Sequence, residues 1–175
     1  NTPFQTAPFD KIKEEHFLPA FREGMRLHNE EIDAIANNPA VPTFNNTIEA
    51  LERSGNVLSK VQYVFYNLLH AETNDSLDKI AETISPEETK HANSIYLNEK
   101  LFLRVKKIYD SKDSLHLTAE QTTLLQKTYD AFVAQGANLS NEDKQKYRDY
   151  SKELSLSTLQ FGQHVLKETN KYELL

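Results

Sequence analysis

Apolar side chains recur at helical spacing along nearly the whole of this chain. Leu18, Phe21, Met25, His28, Ile32 and Ile35 step by threes and fours, which puts them on one face of a helix. Pro19 fits that helix only in its first turn, where a missing N–H costs nothing. The pattern therefore predicts a short turn at 13–16 and a main helix near 17–37, capped by Asp10 or a neighbour and stopped by Asn37, Asn38 and Pro39. Residues 1–10 carry two prolines and no helical period, and read as an extended arm anchored by Phe4 and Phe9. After the proline-bounded connector 39–44, Asn46 reads as the cap of a second helix, with Glu49 as its capping-box partner. Its stripe is Leu51, Leu58, Val61, Phe65 and Leu68, running to about Glu72. Gly55 falls inside it at a cost of about 1 kcal/mol relative to alanine, marking a close contact or a slight bend.

Asn74 and Asp75 open a third helix with Leu77, Ile80, Ala81 and Ile84. Pro86 removes a backbone bond in mid-pattern and crowds the previous turn, so a kink or break is expected at 85–86 before the pattern resumes through Ile95 to Leu97. Asn98 caps a fourth helix with Leu101, Phe102, Val105, Ile108 and Tyr109 inside. Thr118 with Gln121 makes a capping box for a fifth, through Leu125, Tyr129 and Phe132, and Gly136 suits a left-handed C-cap. Ser140 with Asp143 opens the last helix, whose stripe is Tyr147, Tyr150, Leu154, Phe161 and Val165. Running to about Asn170, it would be about 45 Å long. No segment alternates with period two, no hairpin signal occurs, and no solenoid period is visible. The expected fold is all-α: a multi-helix bundle of long antiparallel helices with six main segments. It reads as one domain over 1–175, with the arm at 1–10 and the bundle at 11–175.

Composition narrows the chemistry. A chain of 175 residues can bury about 70% of its unfolded surface and build a core without staples. It has no cysteine, which excludes disulfides, thiolate metal sites and cysteine nucleophiles. Its four glycines stand alone, so the glycine-clustered phosphate loops and the G-x-S-x-G elbow are absent. A net charge of −6 gives no global attraction for nucleic acid or anionic membranes. With a mean hydropathy of −0.64 and no apolar run near the roughly 18 residues of a membrane span, the expectation is a soluble chain. No signal-peptide pattern is visible, and the absence of cysteine suits cytoplasm and periplasm equally.

Six histidines bear on metal chemistry. His16, His28, His70, His91, His116 and His164 fit neither H-E-x-x-H nor H-x-x-E-H. Glu88 and His91 form a single E-x-x-H pair, whereas a di-iron bundle needs two such pairs and two further glutamates. His28 and His91 lie on apolar stripes and read as hydrogen-bonded core histidines; His164 reads as a surface or interface residue. Lys100, Arg104, Lys106 and Lys107 form a small basic face, read as solvated. The densest aromatic cluster, Tyr63, Phe65 and Tyr66, reads as core. The sequons at Asn45, Asn74 and Asn138 fall at predicted helix starts and read as caps. The expectation is no catalytic, cofactor-binding or metal-binding residue in this chain.

Five strings in order carry a resemblance: PFDKIKEEHFLPAFREGM (8–25), EIDAIANNPAVPTFNNTIEALERSG (31–55), IYLNEKLFLRVKKIYD (95–110), LLQKTYDAFVAQGANLSNEDKQKY (124–147) and LSTLQFGQHVLKETN (156–170). Together they resemble the N-terminal region of bacterial dipeptidyl carboxypeptidase and oligopeptidase A, in the thimet-oligopeptidase family of zinc metallopeptidases. That resemblance implies a parent several times longer, an all-helical ellipsoid with a deep channel and its zinc site in the C-terminal half. It also implies that this part is a channel wall, admitting short unfolded peptides. The family's H-E-x-x-H matches no position here, so zinc is expected only in the missing C-terminal part, and neither bound zinc nor peptidase activity in this chain alone. The chain starts at Asn1 and its one methionine is Met25, so a trimmed chain is expected. The partners implied are the catalytic part of the parent and, in the full enzyme, short peptides. The stripes are wider than one buried line, so an apolar surface should stay uncovered, ready for the parent's remainder or for self-association. The rival reading is a free-standing helical scaffold that holds a partner helix in an apolar groove.

Overall fold

A computed structural model describes residues 6–71 and 73–171, and among these every regular element is helical. A 3-10 turn at Glu14–His16 leads into α1 (Phe17–Ala36). A π-helical segment, Phe44–Glu49, runs into the short α2 (Ala50–Arg53), followed by α3 (Asn56–Ala71), α4 (Asp75–Tyr96), α5 (Glu99–Asp110), α6 (Ala119–Ala134) and α7 (Asn141–Asn170). The all-α reading holds, with six helices of twelve residues or more among the described residues.

The caps explain most of the boundaries. Asn74 Oδ1 accepts the amides of Ser76 and Leu77, Asn98 Oδ1 that of Leu101, and Ser140 Oγ that of Asp143. Thr118 and Gln121 close the predicted capping box reciprocally. At the end of α6, Gly136 takes φ +87°, while its own amide and that of Ala137 reach the carbonyls of Val133 and Phe132. This is the Schellman closure that glycine permits.

Five local expectations are corrected. The cap of the second segment is Thr43, whose Oγ1 accepts the Asn46 amide while Asn46 Oδ1 accepts the Thr43 amide; Asn46 is the box partner. The helix does not pass through Gly55. It ends at Arg53, and Gly55 takes φ +72° before α3 begins. The α4 helix runs unbroken across Pro86. The residue whose carbonyl loses its donor there, Glu82, is on the exposed side, open to solvent, so the lost bond costs little. A two-point ion pair from Arg22 to Glu87 (2.8 and 3.1 Å) ties the turn after the proline to α1. Asp10 lies in a turn rather than capping α1, and the amide of Lys13 is instead taken by His16 Nδ1. In the arm, Phe9 is exposed and anchors nothing, while Phe4 lies outside the described residues.

The buried side chains fall into two cores that share α1 and α4. One joins Phe17, Phe21 and Met25 of α1 with Leu58, Phe65 and Leu69 of α3 and Leu77–Ile84 of α4. Here the Phe17 and Phe21 rings meet Phe65 edge-on at 5.0 and 5.3 Å. The other joins Ile32 and Ile35 of α1 with Phe44 and Ile48, Ile95 of α4, Leu101, Val105 and Ile108 of α5, and Leu125 and Phe132 of α6.

Arg104 is not part of a basic face. It is buried on α5, and its guanidinium donates to the carbonyls of Asn38 (2.7 Å) and Ala40 (3.1 Å) and to Asn46 Oδ1 (3.1 Å). Lys100 donates to Asn37 Oδ1, and Lys106 pairs with Asp110. Arg104 thereby supplies the donors that the proline-rich connector cannot find in a helix. Arg104→Ala should therefore lower the unfolding free energy by about 2–3 kcal/mol, because two connector carbonyls and Asn46 Oδ1 lose a charged donor. Exposed Lys107→Ala should stay within about 0.5 kcal/mol; denaturant titration of the two variants is the check.

Candidate functional site

A groove of about 1020 Å³ is lined by residues of α1, α3, α4 and α6 and by the turn around Ser54. It lies where the two cores meet. On α1, His28 falls between Met25 of one core and Ile32 of the other; on α4, His91 falls between Ile84 and Ile95. The two rings meet across the helices, with His91 Nε2 3.0 Å from His28 Nδ1. The far side of the His28 ring, Nε2, is 3.2 Å from Ser54 Oγ.

These distances are those of a nucleophile, a base and an orienting group. The hydrogen-bond directions give a different role. Ser54 Oγ donates its one proton to the Leu51 carbonyl at 2.7 Å, so it accepts from His28 Nε2–H. His28 Nδ1 is then a lone pair, and accepts from His91 Nε2–H. Protons therefore point from His91 toward Ser54, and the ring nitrogen facing the serine is the protonated one. A base needs it bare. The amide of Gly55, the neighbouring donor, is committed to the Glu31 carboxylate at 2.7 Å. The arrangement is a polar joint between two apolar cores, and among the described residues His91 Nδ1 is left with no partner.

Local sequence fixes the joint. A Cβ on Gly55 would stand 2.9 Å from the His28 ring, and its φ of +72° is one that L residues rarely adopt, so glycine is required twice over. Burial holds both histidines below the ordinary value of 6.5, His91 at about 4, where the neighbouring His28 adds to the effect; Glu31 partly opposes the shift at His28.

Glu88 and His91, one turn apart on α4, both line the groove. Glu88 accepts from Gln62 Nε2 at 2.7 Å and from the Tyr66 hydroxyl, whose proton is held more tightly than usual by burial and by that bond. Of the remaining histidines, His16, His70, His116 and His164 are exposed and scattered. Among the described residues no three His, Asp or Glu side chains gather into a group that could hold a metal. No described helix is long and apolar enough to cross a membrane. Asn74 caps as expected, whereas Asn45 lies inside the π-helical segment and Asn138 in the turn before Ser140. Each histidine stands out in the sequence on its own, whereas their pairing and the parts played by Ser54 and Glu31 appear only in the fold.

The clearest departure is on α7. Its predicted core stripe faces outward: Tyr150, Leu154 and Phe161 are 69%, 67% and 71% exposed, and Val165 is also exposed. At 100° per residue the four fall within about 60° of arc. The half-buried side carries Ser151, Ser155, Leu159, Gln163 and Leu166, with Leu159 against the first core. Both serine hydroxyls are satisfied by carbonyls of α7 itself, so they tolerate that side.

Comparison with known proteins places this unit. Over 164 residues the chain is 43% identical to the dipeptidyl carboxypeptidase of Escherichia coli (strain K12), covering 94% of this chain and 24% of that enzyme. The chain is similar to the dipeptidyl carboxypeptidases along nearly its whole length. It is also 23% identical to oligopeptidase A of the same organism over 168 residues, covering 96% and 25% of the two chains. With the organellar oligopeptidase A of Arabidopsis thaliana the identity is 23% over 172 residues, covering 98% and 22%. The resemblance carried by the five strings is thus shown, and the chain spans about a quarter of the length of the curated relatives it matches. No protein-family model matches it. The dipeptidyl carboxypeptidases are peptidases by name.

Depressed histidine values carry a sign. Between about pH 6.5 and 4 the unfolded chain binds a proton that folded His91 refuses, so stability falls as pH drops through that window. The expected loss is about 2 kcal/mol from pH 7.5 to 5, measured by denaturant titration at each pH. In His91→Leu most of that slope should vanish; an unchanged slope would place its origin elsewhere.

Proposed function

We propose that this chain is the N-terminal, non-catalytic helical part of a zinc peptidyl-dipeptidase or oligopeptidase, a single domain that forms one wall of the channel admitting short peptides. The observation that carries the reading is the 43% identity over 94% of this chain to an enzyme about four times longer. The uncovered stripe on α7 supports it. Apolar side chains aligned for about 22 Å along one helix face normally meet a partner. In this reading the partner is the rest of the parent chain. No residue here is assigned a catalytic or metal-binding role. Zinc belongs to the remainder, where it would act on the scissile peptide bond, while this part supplies enclosure.

The test joins two pieces: this chain and the polypeptide that follows it in its gene. Mixed, they should co-elute on gel filtration and recover chelator-sensitive cleavage of a short fluorogenic peptide, which this chain alone should lack. The double substitution Leu154→Ser and Phe161→Ser should weaken the complex at least about tenfold while leaving the helical content of this chain intact. A folded remainder that neither binds this chain nor gains activity from it would remove the reading's support.

A further inference from the structure

The groove has a chemical character that its role as a joint does not use. Glu88 stands on its α4 wall, held from two sides by Gln62 Nε2 and the Tyr66 hydroxyl. Both donors are neutral. They fix the carboxylate without balancing its charge, and among the described residues no lysine, arginine or histidine forms an ion pair with it. One turn on, His91 is nine-tenths buried and its Nδ1 has no donor among the described residues. The charged residues around the groove are Glu52, Glu88 and Glu120 against Lys127. The two histidines add no positive charge near neutral pH, since burial holds both below their ordinary value. The rest of the lining is largely apolar, with Leu58 and Ile95 among it, and the volume of about 1020 Å³ is enough for several residues of extended chain.

The geometry points to this α3–α4 wall as a binding site for the free amino terminus of a short unfolded peptide, with the Glu88 carboxylate accepting its ammonium. A preoriented carboxylate without a counter-ion at the edge of an apolar groove favours a charged donor with an apolar tail. Tyr66 and Gln62 hold Glu88 in place and act as positioning residues. This site stands on the groove alone and not on the channel-wall reading, so either can fail without the other. If both hold, the wall grips peptide ends as well as enclosing them.

Leu-Ala-Leu amide and its N-acetylated form are titrated into the ¹⁵N-labelled chain, and backbone amide shifts are followed by NMR. The free-amine peptide should give saturable shifts at Gln62 and at Glu88–Ala92. The acetylated peptide should bind at least about tenfold more weakly, as should the free-amine peptide to Glu88→Gln, which keeps the size and one acceptor oxygen but loses the charge. Tyr66→Phe should weaken binding about threefold through loss of orientation, and provides a second variant if Glu88→Gln does not fold. Equal binding of the two peptides overturns the proposal and leaves the groove as an apolar seat for another stretch of chain. Undiminished binding to a folded Glu88→Gln, or no saturable shift up to about 10 mM peptide, overturns it as well.

Discussion

The hydrogen bond between His91 and His28 is the point on which the two halves of the molecule turn. Each half has an apolar core, and neither core reaches across the middle of α1 or α4. A continuous apolar seam would have joined them with little directional preference. The imidazole pair joins them in one register, because the Ser54 hydroxyl, committed to the Leu51 carbonyl, leaves only one sense for the chain of donors. The same demand fixes the backbone nearby. Ser54 must sit under the His28 ring, which ends α2, and Gly55 must follow in the left-handed region with no Cβ, its amide taken by Glu31. The groove is the space that remains where the two cores approach and α6 does not close over the joint.

Seen from the joint outward, the helices differ in how fully they are enclosed. α5 buries Leu101, Phe102, Val105 and Ile108. α7, the longest at thirty residues, buries only Lys144, which is the arrangement of an outer helix with an apolar side still unpaired. Its inner side, lying against α4, mixes two serines and Gln163 with Leu159 and Leu166. A helix with its stronger apolar stripe turned to water is costly in an isolated globule and ordinary at an internal boundary of a larger fold. The quarter-length match to dipeptidyl carboxypeptidase and to the oligopeptidases is in keeping with the second situation.

Much of this architecture is legible in the residues because local chemistry and tertiary need agree. At Thr118, Asn98 and Asn74 the caps are set by side chains a few residues away, and the cores of α1, α3 and α5 follow period 3.6. The failures share a cause, a tertiary partner that no local pattern encodes. Pro86 does not break α4, because packing on α1 and the Arg22–Glu87 pair hold the helix on both sides of it. Gly55 ends a helix that its neighbours would have continued, because the His28 ring needs the space. Arg104 looks like one of four surface cations and is instead the buried clamp on the connector. On α7, period alone identifies the apolar face correctly and says nothing about which way that face turns. The histidines were individually visible as residues on apolar stripes; that 63 positions of sequence separate two members of one hydrogen bond was not.

The distinction between a joint and a catalytic centre rests on where two protons sit, and that is directly measurable. Long-range ¹H–¹⁵N NMR spectra of the imidazole rings at neutral pH report the protonation of each ring nitrogen. His28 and His91 should both be neutral, each protonated on Nε2 and bare on Nδ1. A protonated Nδ1 on His28, with its Nε2 free to take the Ser54 proton, would contradict it and turn the same three residues into a candidate nucleophilic site.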